Sequence, residues 1–195
     1  MNMQLQSGIY LHCTQWTNSM QSVMAGDMTI MNSERLKSLK SLLCCFCVPR
    51  GANASMRAMA CTANGISEFQ LKIGADLYPQ QSIRGGPSKF QNAEFILESL
   101  KAVGEYSNIN NSGCLNADSF ECSGNTLNNC GKSVYGLDLD AFSTSDAIEA
   151  GCNTVINSPI SIISKSNDTD CNIYVFLMHD SILSILPSGI TTISK

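Results

Sequence analysis

The C-terminal end of the chain does most to decide the fold class. Residues 171–178, CNIYVFLM, are rich in apolar, aromatic and β-branched side chains over a strand-like length. Residues 182–186 follow at once. Pro187-Ser188-Gly189 then turns the chain into residues 190–193, so these last two segments predict a β-hairpin. A chain that ends this way needs further strands to cover its apolar surface, since an isolated hairpin is marginal in water.

Such strands are readable upstream. Residues 8–13 are a candidate first strand and residues 22–31, ending in MTIM, a second. Residues 36–48 are the longest, and 43–48 (LCCFCV) read as buried on both faces. Pro49-Arg50-Gly51 stops this strand, and residues 50–64 read as a long loop. Residues 68–73 alternate Phe69, Leu71 and Ile73 against Glu68, Gln70 and Lys72, the mark of a strand with one buried face. Residues 134–139 and 156–163 add two more. The count of about eight short strands with long loops predicts an all-β, jelly-roll β-sandwich.

One segment breaks the pattern. Residues 74–90 read as a loop punctuated by Gly74, Pro79, Gly85, Gly86 and Pro87. A helix follows near residues 92–103. Asn92 is placed to cap it, Glu94 suits its first turn, and Gly104 is a plausible stop. Phe95, Ile96, Leu100 and Val103 mark its apolar face. Residues 104–132 are rich in Asn, Ser, Gly and Cys and read as a surface insertion.

Composition narrows the function. Charged residues make up 14% of the chain, against roughly 25% in ordinary domains. Weak charging suits surfaces that become buried against other subunits. The net charge of −4 argues against a nucleic-acid groove, which carries a basic stripe. No apolar run approaches the ~18 residues of a membrane span. MNMQLQSGIYLH lacks the basic and apolar regions of a secretory signal. Synthesis inside a cell, in a reducing compartment, is therefore expected. The sequons at Asn53, Asn110 and Asn167 then carry no consequence.

The chain holds ten cysteines. Cys44, Cys45 and Cys47 lie in an apolar run, and adjacent strand residues point to opposite faces, so they read as reduced, buried thiols. Cys114, Cys122 and Cys130 lie where disulfides are compatible with the sequence.

Each candidate for chemistry meets a plainer explanation. His12 and His179 are the two histidines. His179-Asp180 invites an acid–base or metal reading, but neighbouring residues diverge, and a strand-end turn fits better. Cys45 and Cys47 share a strand face, yet no second ligand pair has zinc spacing. Asp138 and Asp140 on one strand face suggest paired carboxylates. Sugar-cleaving sites also need aromatic platforms, and aromatics total 7% with Trp16 the single tryptophan, so a solvated strand edge is preferred. Arg84-Gly85-Gly86 lacks the Lys-Ser/Thr of a phosphate loop. No serine sits in a nucleophile motif. The residues thus supply no catalytic, cofactor or metal site.

Three blocks resemble the C-terminal jelly roll of double jelly-roll major capsid proteins, especially those of Polinton/Maverick-type elements and related double-stranded DNA viruses. They are RLKSLKSLLCCFCV (35–48), then SEFQLKIGADLYPQQSI with AEFILESLKAVGEY (67–106), and finally YGLDLD, the Gly151-Cys152-Asn153-Thr154 turn and CNIYVFLMHDSILSI…SGITTI. The resemblance implies a structural subunit without catalysis or cofactor. Such subunits self-associate into trimers, which form pseudo-hexameric capsomers and tile an icosahedral virion. It further implies residues 1–34 as a linker or first strands and 35–195 as one jelly roll, the second of two. The chain is short for two rolls. Residues 74–90 and 104–132 are expected to carry inter-subunit contacts. The competing readings are a non-catalytic β-sandwich binding module, for carbohydrate or a receptor, and a small hydrolase.

Overall fold

The computed structural model describes residues 8–47, 61, 63, 65–86, 91–104, 120, 133–140, 151–155 and 159–185, and the backbone of 191–194. These residues hold nine strands and one helix. In order they are β1 (Ile9–Val23), β2 (Gly26–Asn32), β3 (Leu39–Cys47), β4 (Glu68–Ile73), β5 (Asp76–Arg84), α1 (Ala93–Ala102), β6 (Tyr135–Asp138), β7 (Ile160–Asn167), β8 (Cys171–Ile185) and β9 (Thr191–Ser194).

The strands form two antiparallel sheets. Sheet A has the order β1-β8-β3-β6, with β9 also on β8, and sheet B the order β2-β7-β4-β5. This order has a simple origin. The antiparallel pairs β1/β8, β2/β7, β3/β6 and β4/β5 are the rungs of one long folded-back ribbon. Wrapping that ribbon around a core brings β8 beside β3 and β7 beside β4, which closes the two sheets. The result is a jelly roll, whose crossings leave no single long hairpin exposed. Strands β1 and β2, from the stretch read as linker or first strands, are paired into both sheets.

Alternation sets the core. On β4, Phe69, Leu71 and Ile73 face inward, as their spacing predicts. From sheet A they meet Leu42, Cys44 and Phe46 of β3 and Ile173, Val175 and Leu177 of β8. Tyr135 is the hub of an aromatic cluster. Its ring lies 5.3 Å from Phe46, 5.5 Å from Phe69, 4.9 Å from Phe95 and 5.4 Å from Phe120, mostly edge-on.

The structure corrects several expectations. The first strand runs to Val23, ten residues beyond the predicted end at Cys13. Its Gln15, Thr17, Ser19 and Gln21 conceal the strand because they hold its half-buried inward side, where Thr17 meets His179 and Ser19 meets Asn32. Residues 74–90 are not wholly loop, since β5 occupies Asp76–Arg84 and carries the cis Tyr78-Pro79 peptide. A proline is admissible here because β5 is an edge strand.

The β8 strand does not stop at Met178 but passes through His179-Asp180 without a turn. The irregularity lies opposite, where Leu39 pairs His179 and Ser41 pairs Met178, leaving Lys40 as the extra residue of a bulge. Strand β3 is not buried on both faces. Cys44 and Phe46 are in the core, whereas Leu43, Cys45 and Cys47 are half-buried on the outside.

The helix stands where its sequence puts it, but rotated. Phe95, Ser99 and Ala102 are its buried residues, while Ile96 and Leu100 are half-buried and Val103 is exposed. Asn92 makes no side-chain cap bond to the helix. Its Oδ1 accepts instead from the Gly86 N–H at 3.3 Å. The Gly104 N–H bonds to the Lys101 carbonyl at 2.9 Å as the helix ends. The predicted insertion at 104–132 lies outside the described residues, apart from Gly104 and Phe120.

Candidate functional site

The two sheets present different faces outward. Sheet B exposes polar side chains, among them Glu68, Gln70 and Lys72 of β4 and Lys165 of β7. Glu68 and Lys165 are cross-strand partners with their charged atoms 2.7 Å apart. That bond holds the Glu68 carboxyl below its ordinary range and the Lys165 ammonium above its own. The same face also exposes Met31 (58%) and Leu77 (39%), so it is mixed in character.

Sheet A carries an apolar strip across the middle of its outer face, with Thr14 and Asp180 toward one end and Ser22 and Asn172 toward the other. Along β8 the residues between the core positions are Tyr174, Phe176 and Met178, each half-buried. The register places Met20 beside Tyr174, Asn18 beside Phe176 and Trp16 beside Met178. On the other flank Leu43 pairs Phe176 and Cys45 pairs Tyr174. Trp16 is 45% exposed, Met20 56% and Tyr10 60%. A solvated sheet face would carry polar residues at these positions. Large exposed apolar side chains grouped on one face are a candidate surface for association.

At one end of sheet A sits a polar node. The Lys40 ammonium in the bulge is 2.9 Å from Asp180, and both side chains are largely buried. The Ser38 hydroxyl donates to the other Asp180 oxygen at 2.7 Å and accepts from the Gly151 N–H at 3.1 Å. His179 faces the core, with Nε2 3.0 Å from the Thr17 hydroxyl and Nδ1 3.1 Å from the Asp180 carbonyl. His179 and Asp180 therefore point to opposite sides of the sheet and share neither a ligand nor a proton. The node joins β1, β3, β8 and the segment around Gly151, which is structural work.

The remaining candidates also dissolve into structure. The β6 strand ends at Asp138, whose Oδ1 accepts from the Asp140 N–H at 3.0 Å, closing the strand end. Arg84-Gly85-Gly86 abuts the helix. A Cβ on Gly85 would lie 2.0 Å from the Phe95 ring and 2.6 Å from Asn92 Oδ1, so glycine is required by close packing. Asn167, of one predicted sequon, is buried, and its amide donates to the Gly26 carbonyl at 2.5 Å. His12 is exposed on β1. Among the described residues no group of three or more His, Cys, Asp or Glu could hold a metal ion. No described helix is long and apolar enough to cross a membrane.

Sequence reading missed the apolar outer face of sheet A. A signal was present, because Tyr174, Phe176 and Met178 alternate with core residues and make the middle of the outer side of β8 apolar.

No protein-family model matches the chain, and no curated protein matches it in sequence. Solved structures do match. The chain is similar to the PBCV-1 virus capsid with a TM-score of 0.59 and 10% identity, over 97% of this chain and 52% of that one. It is also similar to the Sputnik virophage (TM-score 0.48, 14% identity, 100% and 40% covered). A third neighbour is the mavirus major capsid protein (TM-score 0.47, 9% identity, 96% and 41% covered). The chain thus spans about half the length of the PBCV-1 capsid chain, and less of the other two. With the strand order described above, the similarity to the PBCV-1 capsid gives the present chain a jelly-roll fold shared with that capsid chain.

Proposed function

We propose that this protein is a structural capsid subunit that self-associates into trimeric, pseudo-hexameric capsomers of an icosahedral virion. The observation that carries the proposal is the strand order β1-β8-β3-β6 over β2-β7-β4-β5, joined to the similarity with the PBCV-1 capsid over nearly the whole chain. In this reading the chain supplies one roll, and the apolar outer face of sheet A is the surface that packs against a neighbouring roll or subunit. The outer face of sheet B, with its Glu68–Lys165 pair, remains in water. The protein performs no catalysis, binds no cofactor and makes no sequence-specific contact with nucleic acid. It is made inside the host cell and resides in the virion capsid.

The apolar strip on sheet A supports this reading over a soluble binding module. A carbohydrate module presents aromatic platforms in a polar groove, whereas Trp16, Phe176 and Met178 form part of a broad apolar face. Electron microscopy of the protein, expressed with any coding sequence that flanks it, is the decisive experiment. Trimers of hexagonal outline are expected. Stable monomers retained on a glycan column would overturn the proposal.

A further inference from the structure

Strand β3 ends at Cys47, and a single antiparallel bridge places Cys61 opposite it. The two Sγ atoms are 3.8 Å apart, and both side chains are half-buried. Residues directly opposed in an antiparallel pair have Cα atoms about 4.5–5.5 Å apart. A disulfide requires about 4.4–6.8 Å between Cα atoms and about 2.05 Å between sulfurs. Side-chain rotation alone can therefore close the gap, with the backbone already in place.

Three of the other described thiols are less well placed. Cys44 is sealed in the core, where burial pushes its thiol far up. Cys171 is also buried, its thiol pushed up to about 11 by burial and then by the nearby Cys47. Cys13, exposed on β1, donates to the Ser181 carbonyl at 3.5 Å. The pair is not part of a metal cluster, since no such group occurs among the described residues.

We propose that Cys47 and Cys61 form an oxidation site, joined into an intramolecular disulfide by exchange with a low-molecular-weight disulfide of the glutathione type. One protein thiol loses its proton, and its thiolate attacks a sulfur of the small disulfide. The small S–S bond breaks, a protein–small-molecule S–S bond forms, and the first small thiolate leaves and takes up a proton. The second protein thiol, deprotonated in turn, attacks the protein sulfur of the mixed disulfide and expels the second small thiolate. Two protein thiols are oxidised and one small disulfide is reduced to two thiols. The product ties together the two ends of the thirteen-residue stretch between the cysteines. The Cys47 thiol is held up by its hydrogen bond with Cys61, then by burial, so the exchange quickens as pH rises.

The test is incubation of the folded protein with oxidised glutathione, quenching by alkylation, and peptide mapping without reduction. The expected result is a Cys47–Cys61 cross-linked peptide pair and the loss of both alkylation sites, at a rate independent of protein concentration and faster at pH 8.5 than at pH 7. The C47S and C61S variants should each stop at a mixed disulfide or an alkylated thiol at the remaining position. The C13S variant should cross-link like the wild type. Recovery of both cysteines alkylated, or of Cys47 linked to Cys171 instead, would overturn the proposal.

Discussion

The Tyr135 hydroxyl donates to the Ala63 carbonyl at 2.6 Å, from within a ring of four phenylalanines. One side chain thus ties β6 of sheet A to the segment that leads into β4 of sheet B, while filling the space beneath α1. The two roles separate by substitution. Tyr135→Phe keeps the packing and leaves a carbonyl without this donor, at a cost of about 1 kcal/mol. Tyr135→Ala also empties the centre of the cluster, at a cost of about 3–5 kcal/mol. Chemical denaturation of both variants measures the difference. Equal losses would mean that the ring contributes nothing beyond the hydroxyl.

Gly136 lies so close beneath the helix that an added Cβ would be 2.7 Å from Ser99 Cα and 2.9 Å from Ala102 Cβ. Ser99 completes the joint, since its hydroxyl donates to the Val134 carbonyl and accepts from the Gly136 N–H at 2.9 Å. Gly136→Ala should force the helix off sheet A and cost about 1–3 kcal/mol by overpacking. Ser99→Ala leaves both backbone groups unsatisfied in a buried place, at about 1–3 kcal/mol. The two positions share one contact, so the double variant should lose less than the sum. Additive losses in a double-mutant cycle would separate them.

That joint also explains what was legible in the sequence and what was not. Spacing located the helix, because Phe95 and its neighbours recur with helical period. It mislaid the buried face, because the choice of Ser99 and Ala102 over Leu100 and Val103 is made by Gly136, 37 residues away from Ser99. Strand β4 was readable residue by residue, since one side is core and the other water. Strand β5 was hidden by Pro79, Gln80 and Gln81, which belong to an edge strand with little buried surface. His179-Asp180 looked like a turn because the partners that make the pair tolerable inside β8 are Thr17, Ser38 and Lys40, all distant in sequence. The described polar clusters serve strand ends, a bulge and the helix joint, and none of these roles is readable without the fold.

Asp138 gives the fold a pH dependence of predictable sign. Desolvation pushes its carboxyl above the ordinary range, helped by the Asp140 and Glu98 charges, against the Asp140 N–H that favours the ionised form. A carboxyl whose folded pKa is raised binds more protons folded than unfolded. Stability is therefore greatest below the unfolded value of about 3.9 and falls as pH rises toward the folded value, with the full penalty present at neutral pH. Asp138→Asn removes the ionisation and keeps an oxygen for the Asp140 N–H. The variant should melt higher than wild type at pH 7, and the gain should vanish in acid. A variant that melts lower at pH 7 would show that the charge itself is stabilising.

Trp16 reports on the outer face of sheet A because it is the single tryptophan of the chain and lies 45% exposed beside Met178. If that face packs against a neighbouring roll, assembly moves the indole from water into an apolar contact. Its emission should then shift to the blue as protein concentration rises, in step with mass measured by light scattering. Trp16→Glu places a charge where burial would be costly but leaves β1 in register with β8, since the side chain points away from the core. The variant should keep the wild-type circular dichroism and melting temperature while losing the assembled species. Assembly of the variant at wild-type concentrations would move the contact surface away from sheet A, and the outer face of sheet B, with Met31 and Leu77, would be the next to test.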